Sequence, residues 1–212
     1  MQEFLRKYFP SLVDNVTLLL AKISWKQKHA LDEERKEELA NMLKNDYYII
    51  LTRRGNYLST YMIGIMGFIL YGKFGFYSHS LMNLEDEAKD PSDFRLVEAT
   101  GAGVAYSTFN EVFQHPDAVC LLKPKNISLE EWTLCLDASK KYLGRPYDTL
   151  FDLSNDASMS CVELVRSAMK TLPDYDTKFG NFEKIINKTK NLTPQMFKDC
   201  EDFEVVYEIM NK

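Results

Sequence analysis

Four cysteines and three histidines are the residues of this 212-residue chain best suited to nucleophilic or metal chemistry. Cys120, Cys135, Cys161 and Cys200 form no CxxC pair, and none of His29, His79 and His115 lies near a cysteine in sequence. A metal site would need ligands gathered from isolated positions, so no metal and no cofactor is expected. A thiol becomes a nucleophile when its pKa is depressed, and the first turn of a helix does this through its unpaired N–H groups and dipole. Only Cys161 has that address. Ser160-Cys161-Val162-Glu163 reads as a capping box with Ser160 as N-cap. Cys120 falls in an apolar strand and Cys135 in mid-helix, where a cysteine is expected as a small buried hydrophobe. Cys200 follows a short helix and is expected as an exposed competitor, its thiolate disfavoured by Asp199 and Glu201.

A nucleophilic thiol also needs a base and a group that orients the base. His79 opens an alternating stretch, His79–Leu84, with His79, Leu81 and Asn83 on one face. Glu98 lies in a second alternating stretch, Phe94–Ala99, on a parity that can face His79. His29 sits in the basic linker WKQKH and His115 precedes Pro116; both read as surface residues.

These residues need elements to hold them. Tyr47–Thr52 is aromatic and β-branched, a strand. An apolar helix follows at about 57–71, bounded by Gly72 and Gly75. It is too short to span a membrane and is expected as a buried core helix. Ala118–Leu122 is a strand stopped by Pro124. Ser128-Leu129-Glu130-Glu131 is a capping box opening a helix to about Leu143, closed by Gly144. Val162, Val165 and Met169 form the apolar stripe of the Cys161 helix. Thr193-Pro194 starts a short helix, and Phe203–Ile209 is a last strand. Before Tyr47, two helices are expected: one after Pro10 (Leu12, Val13, Val16, Leu19, Leu20, Ile23) and one capped by Asp32 (Leu39, Met42, Leu43). The pattern suggests an α+β fold with a mainly antiparallel sheet packed on helices. Residues 1–45 read as an N-terminal helical extension, and residues 46–212 as the core domain.

The net charge of −5 argues against a nucleic-acid binder. The first residues, MQEFLRKYFPSLVDN, lack the apolar segment of a signal peptide, and no stretch reads as a transmembrane segment. A cytoplasmic or virion-associated protein is expected.

The order of these pieces resembles the permuted papain-like amidases and peptidases of the NlpC type, the YiiX/YaeF-like group. The matching residues are Asp46-Tyr47-Tyr48-Ile49-Ile50-Leu51, Ser78-His79-Ser80-Leu81, Val97-Glu98-Ala99 with Gly103-Val104, Gly144-Arg145-Pro146-Tyr147-Asp148, Ser160-Cys161-Val162-Glu163-Leu164-Val165, and Leu192-Thr193-Pro194. Papain-like enzymes usually place the cysteine first. Here His79 precedes Cys161, the order of the permuted group. The resemblance implies a papain-like, circularly permuted fold from Asp46 onward. It makes Cys161 the nucleophile, His79 the base and Glu98 the orienting residue, with Tyr147, Asp148 and Ser160 beside the substrate. It implies a cysteine-dependent amide hydrolase acting on peptides, with bacterial cell-wall peptides as the expected substrate. Two alternatives stay open: a lipid acyltransferase or esterase on the same fold, and a non-catalytic virion or scaffold component docking on a protein partner through its N-terminal helices.

Overall fold

Six strands form one sheet in the order β4-β3-β2-β1-β5-β6, every neighbouring pair antiparallel. They are β1 (Ile49–Arg53), β2 (His79–Asn83), β3 (Arg95–Thr100), β4 (Gly103–Thr108), β5 (Ala118–Pro124) and β6 (Phe203–Met210). The computed structural model describes residues 30–55, 57–71, 74–83, 95–149, 157–189 and 192–211. The helix expected after Pro10, His29, Phe94 and the acidic stretch after Asn83 lie outside the described residues.

Alternation along the strands divides the core in two. Ile50, Leu81, Leu96, Val119 and Leu121 point to one face, under helix α1 (Glu33–Asn45) and the short α3 (Phe109–Phe113). Ile49, Leu51, Met82, Val97, Cys120 and Leu122 point to the other, under α4 (Leu129–Ser139), α5 (Cys161–Met169), the short α6 (Tyr175–Lys178), α7 (Gly180–Thr189) and α8 (Gln195–Asp199). Strand β1 is thus covered on both faces, which is why its sequence is a continuous apolar run. The helices are α+β in arrangement, as the sequence suggests.

Helix α1 starts where the sequence places it, with the Asp32 carboxylate accepting the Arg35 N–H at 3.0 Å. Its Leu39, Ala40 and Leu43 are packed into the same apolar cluster as Ile50 and Leu81. The division at residue 45 therefore does not separate two cores: this helix closes one face of the sheet. Leu39 is fully buried, so Leu39→Ala is expected to lower the stability of the whole domain by about 2–5 kcal/mol in urea unfolding. An unchanged urea midpoint would make the helix dispensable.

The apolar helix α2 (Leu58–Tyr71) forms as expected, but one described side of it is exposed where a core helix is buried all round. Met62, Ile65 and Phe68, at helical spacing, are 39%, 51% and 61% exposed. Among its described side chains, none belongs to either apolar cluster of the sheet. Both faces of the sheet are already covered by other helices, and α2 instead packs against residues 74–75. The Gly75 N–H donates to the Gly64 carbonyl at 3.2 Å. A Cβ on Gly64 would come within 2.4 Å of the Phe74 ring, so the close approach requires glycine there.

Candidate active site

Cys161 is the first residue of α5, and the capping box ahead of it forms. Ser160 Oγ accepts the Glu163 N–H at 3.4 Å, and Glu163 Oε2 accepts the Ser160 N–H at 2.7 Å. The N–H groups of this first turn have no carbonyl partner within the helix, so they present partial positive charge at the thiol. Burial alone would push the Cys161 thiol up. The imidazole of His79, with Ser80 beside the sulfur, outweighs this and brings it below the ordinary thiol value. The other three cysteines move the opposite way, each pushed up to about 12 chiefly by burial. Cys200, expected as exposed, is only 3% exposed. Its preceding helix, α8, carries Met196 and Phe197 into the core and takes Cys200 with it.

Strand pairing brings base and acid together. Leu81 faces Glu98 across β2 and β3, so His79, two residues along β2 from Leu81, shares the parity of Glu98. His79 Nε2 lies 2.6 Å from Glu98 Oε2. With Nε2 engaged by the carboxylate, Nδ1 is the nitrogen left for the thiol. Burial by itself would lower the imidazole; the sulfur of Cys161 and the Glu98 carboxylate outweigh it and raise His79 to about 10. Burial would likewise raise Glu98. Hydrogen bonding and charge from His79, a hydrogen bond from Ser107 Oγ and the Arg54 charge lower it to about 2. A thiolate–imidazolium–carboxylate array is the state these interactions favour. The Glu98 contribution to stability is present above its ordinary value of 4.5 and is lost as pH falls through about 2. The His79 contribution is complete below 6.5 and is lost as pH rises through about 10.

The Gly144-Arg145-Pro146-Tyr147 segment is clipped in place from two sides. Val104 N–H donates to the Arg145 carbonyl at 2.8 Å, and Gly144 N–H to the Val104 carbonyl at 2.9 Å. Gly103, at φ 103°, permits this contact, since a Cβ would stand 2.6 Å from the Arg145 oxygen. On the other side, Met159 N–H donates to the Pro146 carbonyl at 2.9 Å, and Tyr147 bridges to Met159. Tyr147 is thereby fixed beside Cys161. Burial, then the charges of Cys161, Asp148 and Glu163, raise its phenol well above the ordinary value.

His79, Glu98 and Tyr147 line a cleft of about 230 Å³, together with Arg54 and residues at the start of α2. Cys161 is 2% exposed and stands behind this wall, in contact with it through His79 and Tyr147. Of the three residues expected beside substrate, Tyr147 lines the cleft, whereas Asp148 and Ser160 are buried and do not. The Ser160 hydroxyl is committed to the helix cap. Three contributors escaped the sequence reading: Ser80, Ser107 and Arg54. Strand alternation offered a signal for Ser107, because Ala105 faces Glu98 and Ser107 shares its parity.

Glu98→Gln keeps an acceptor for the imidazole but removes its negative charge. Losing a charge-assisted hydrogen bond costs about 1.5–3 kcal/mol, so turnover is expected to fall about tenfold to a hundredfold. Equal turnover in the variant and the parent would remove Glu98 from the site.

No protein-family profile matches this chain, and no curated protein matches it. Among solved structures, it is similar to the metalloprotein YiiX of Escherichia coli O157:H7, a DUF1105 protein. The TM-score is 0.55 at 17% identity, covering 78% of this chain and 98% of that one. This likeness concerns the fold. Among the described residues here, no group of three or more His, Cys, Asp and Glu side chains is placed to hold a metal ion.

Proposed function

We propose that this protein is a cysteine-dependent amide hydrolase on a permuted papain-like fold, with Cys161 as nucleophile, His79 as acid–base and Glu98 as the orienting carboxylate. The observation that carries the reading is the joining of a pKa-depressed thiol at a helix start to an imidazole held at 2.6 Å by a carboxylate. In this reading the Cys161 thiolate attacks the carbonyl carbon, and the Cys161 N–H helps to hold the oxyanion. The His79 imidazolium gives its proton to the leaving nitrogen, the C–N bond breaks and a thioester remains. Neutral His79 then takes a proton from water as the water attacks the thioester. The acid leaves and the thiolate–imidazolium pair is restored. Peptides, with those of the bacterial cell wall first, are the substrates proposed.

A second reading, acyl transfer or ester hydrolysis on a lipid, is favoured by one observation. The exposed apolar residues Met62, Ile65 and Phe68 belong to the helix whose Ser59, Thr60 and Ile63 line the cleft. Incubation with muropeptides and with phospholipid vesicles, followed by mass spectrometry, separates the two. The amidase reading expects new amino termini from the peptides. Lysolipid or transferred acyl chains without peptide cleavage would favour the lipid reading.

A further inference from the structure

Among the described residues, Arg54 is the one arginine or lysine lining the cleft; the rest of the described polar wall is largely hydroxyl, from Tyr57, Ser59, Thr60 and Ser78 among others. Its backbone is pinned: the carbonyl accepts the Tyr57 N–H at 3.1 Å and the Thr60 hydroxyl at 2.8 Å. Thr60 Oγ1 in turn lies 3.1 Å from Ser78 Oγ, one residue before His79. The guanidinium is much less committed. One N–H reaches the Glu111 carbonyl at 3.4 Å, a long contact, and among the described residues no carboxylate forms an ion pair with it. Glu98, whose charge it feels, has both oxygens engaged, one by His79 and one by Ser107. The partly buried guanidinium is thus a rigidly based fork of donors facing a small cleft, its charge matched by no ion pair among the described residues.

We propose that Arg54 makes the cleft selective for acyl substrates carrying a carboxylate a few atoms from the scissile carbonyl. This rests on Cys161 being the nucleophile, as proposed above. A guanidinium fork matches the two oxygens and single charge of a carboxylate, and the hydroxyls beside it add neutral donors. A phosphate monoester brings nearly twice the charge to a wall whose described residues offer a single arginine. Glu98, the one carboxylate among the described wall residues, does not oppose the anion, because its charge is balanced by His79.

The test uses reagents that place an electrophilic carbon at the thiol and a carboxylate where the substrate would carry it. N-iodoacetylglycine is compared with its carboxamide and with N-iodoacetyl-aminoethyl phosphate. In each, the Cys161 sulfur forms a bond to the methylene carbon as the carbon–iodine bond breaks and iodide leaves. Alkylation of Cys161 is followed by peptide mapping at neutral pH and low salt, with glutathione as the reference thiol. The carboxylate-to-carboxamide rate ratio at Cys161 is expected to exceed that of glutathione by about tenfold, a size reasonable for one partly screened charge pair. Arg54→Gln should bring the ratio down to that of glutathione, and Arg54→Lys should retain part of it. An unchanged ratio in Arg54→Gln overturns the proposal. So does a parallel fall with both reagents, which would make Arg54 act only through Glu98. A phosphate reagent faster than the carboxylate overturns the assignment to carboxylate. Failure of all three reagents at Cys161 in the parent would contradict the nucleophile reading itself, a different result from an unselective but reactive thiol.

Discussion

Cys161→Ala is expected to abolish peptide cleavage, by about 10⁴-fold or more, because no other described nucleophile adjoins the His79 imidazole to form the acyl intermediate. The fold should survive. The substitution removes one small buried atom, while the stripe of Val162, Val165 and Met169 and the Ser160–Glu163 cap remain. Circular dichroism and a melting curve close to the parent's would establish that the loss is chemical. Retained cleavage in a purified variant would remove Cys161 from the reaction.

His79→Ala should cost about 10²–10⁴ in turnover, the range typical of a positioned general acid–base. The variant also reports on the resting state. Without the imidazole, burial is left to dominate the Cys161 thiol, which should rise above its ordinary value as the other three cysteines do. Glu98, with a side chain 9% exposed, loses the cation that faces it. Stability should therefore fall most near neutral pH, by about 3–5 kcal/mol if the pair behaves as a buried one. The deficit should shrink in acid, where protonation removes the uncompensated charge. A loss that is flat between pH 3 and pH 7 would deny the pairing.

The chemistry-bearing residues were legible in the sequence because each sits on a local pattern. A capping box places Cys161 at a helix start, and strand parity alone puts Glu98 on the side of His79. What was not legible depends on contacts far apart in the chain. Arg54 follows β1 and reads as an ordinary surface cation until Thr60 and Ser78 are seen to gather around it. Helix α2 looks like core by composition. Only the sheet topology reveals that both faces are already covered, leaving its Met62, Ile65 and Phe68 outside. Strand β4 carries no strand signal in its sequence because it lies at the edge of the sheet, where only Gly103 and Val104 are buried and the apolar alternation is weak. Helix α7 begins with Gly180, a poor helix former, and owes its place to Phe182 and Ile186 in the core.

The rate of iodoacetamide alkylation at each cysteine, measured against pH with peptide mapping, tests the central claim most directly. Cys161 should label first, with a reactive plateau reaching below the ordinary thiol value of 9, while Cys120, Cys135 and Cys200 stay inert through neutral pH. A Cys161 midpoint at 9 or above, or faster labelling of any of the other three, would contradict the account.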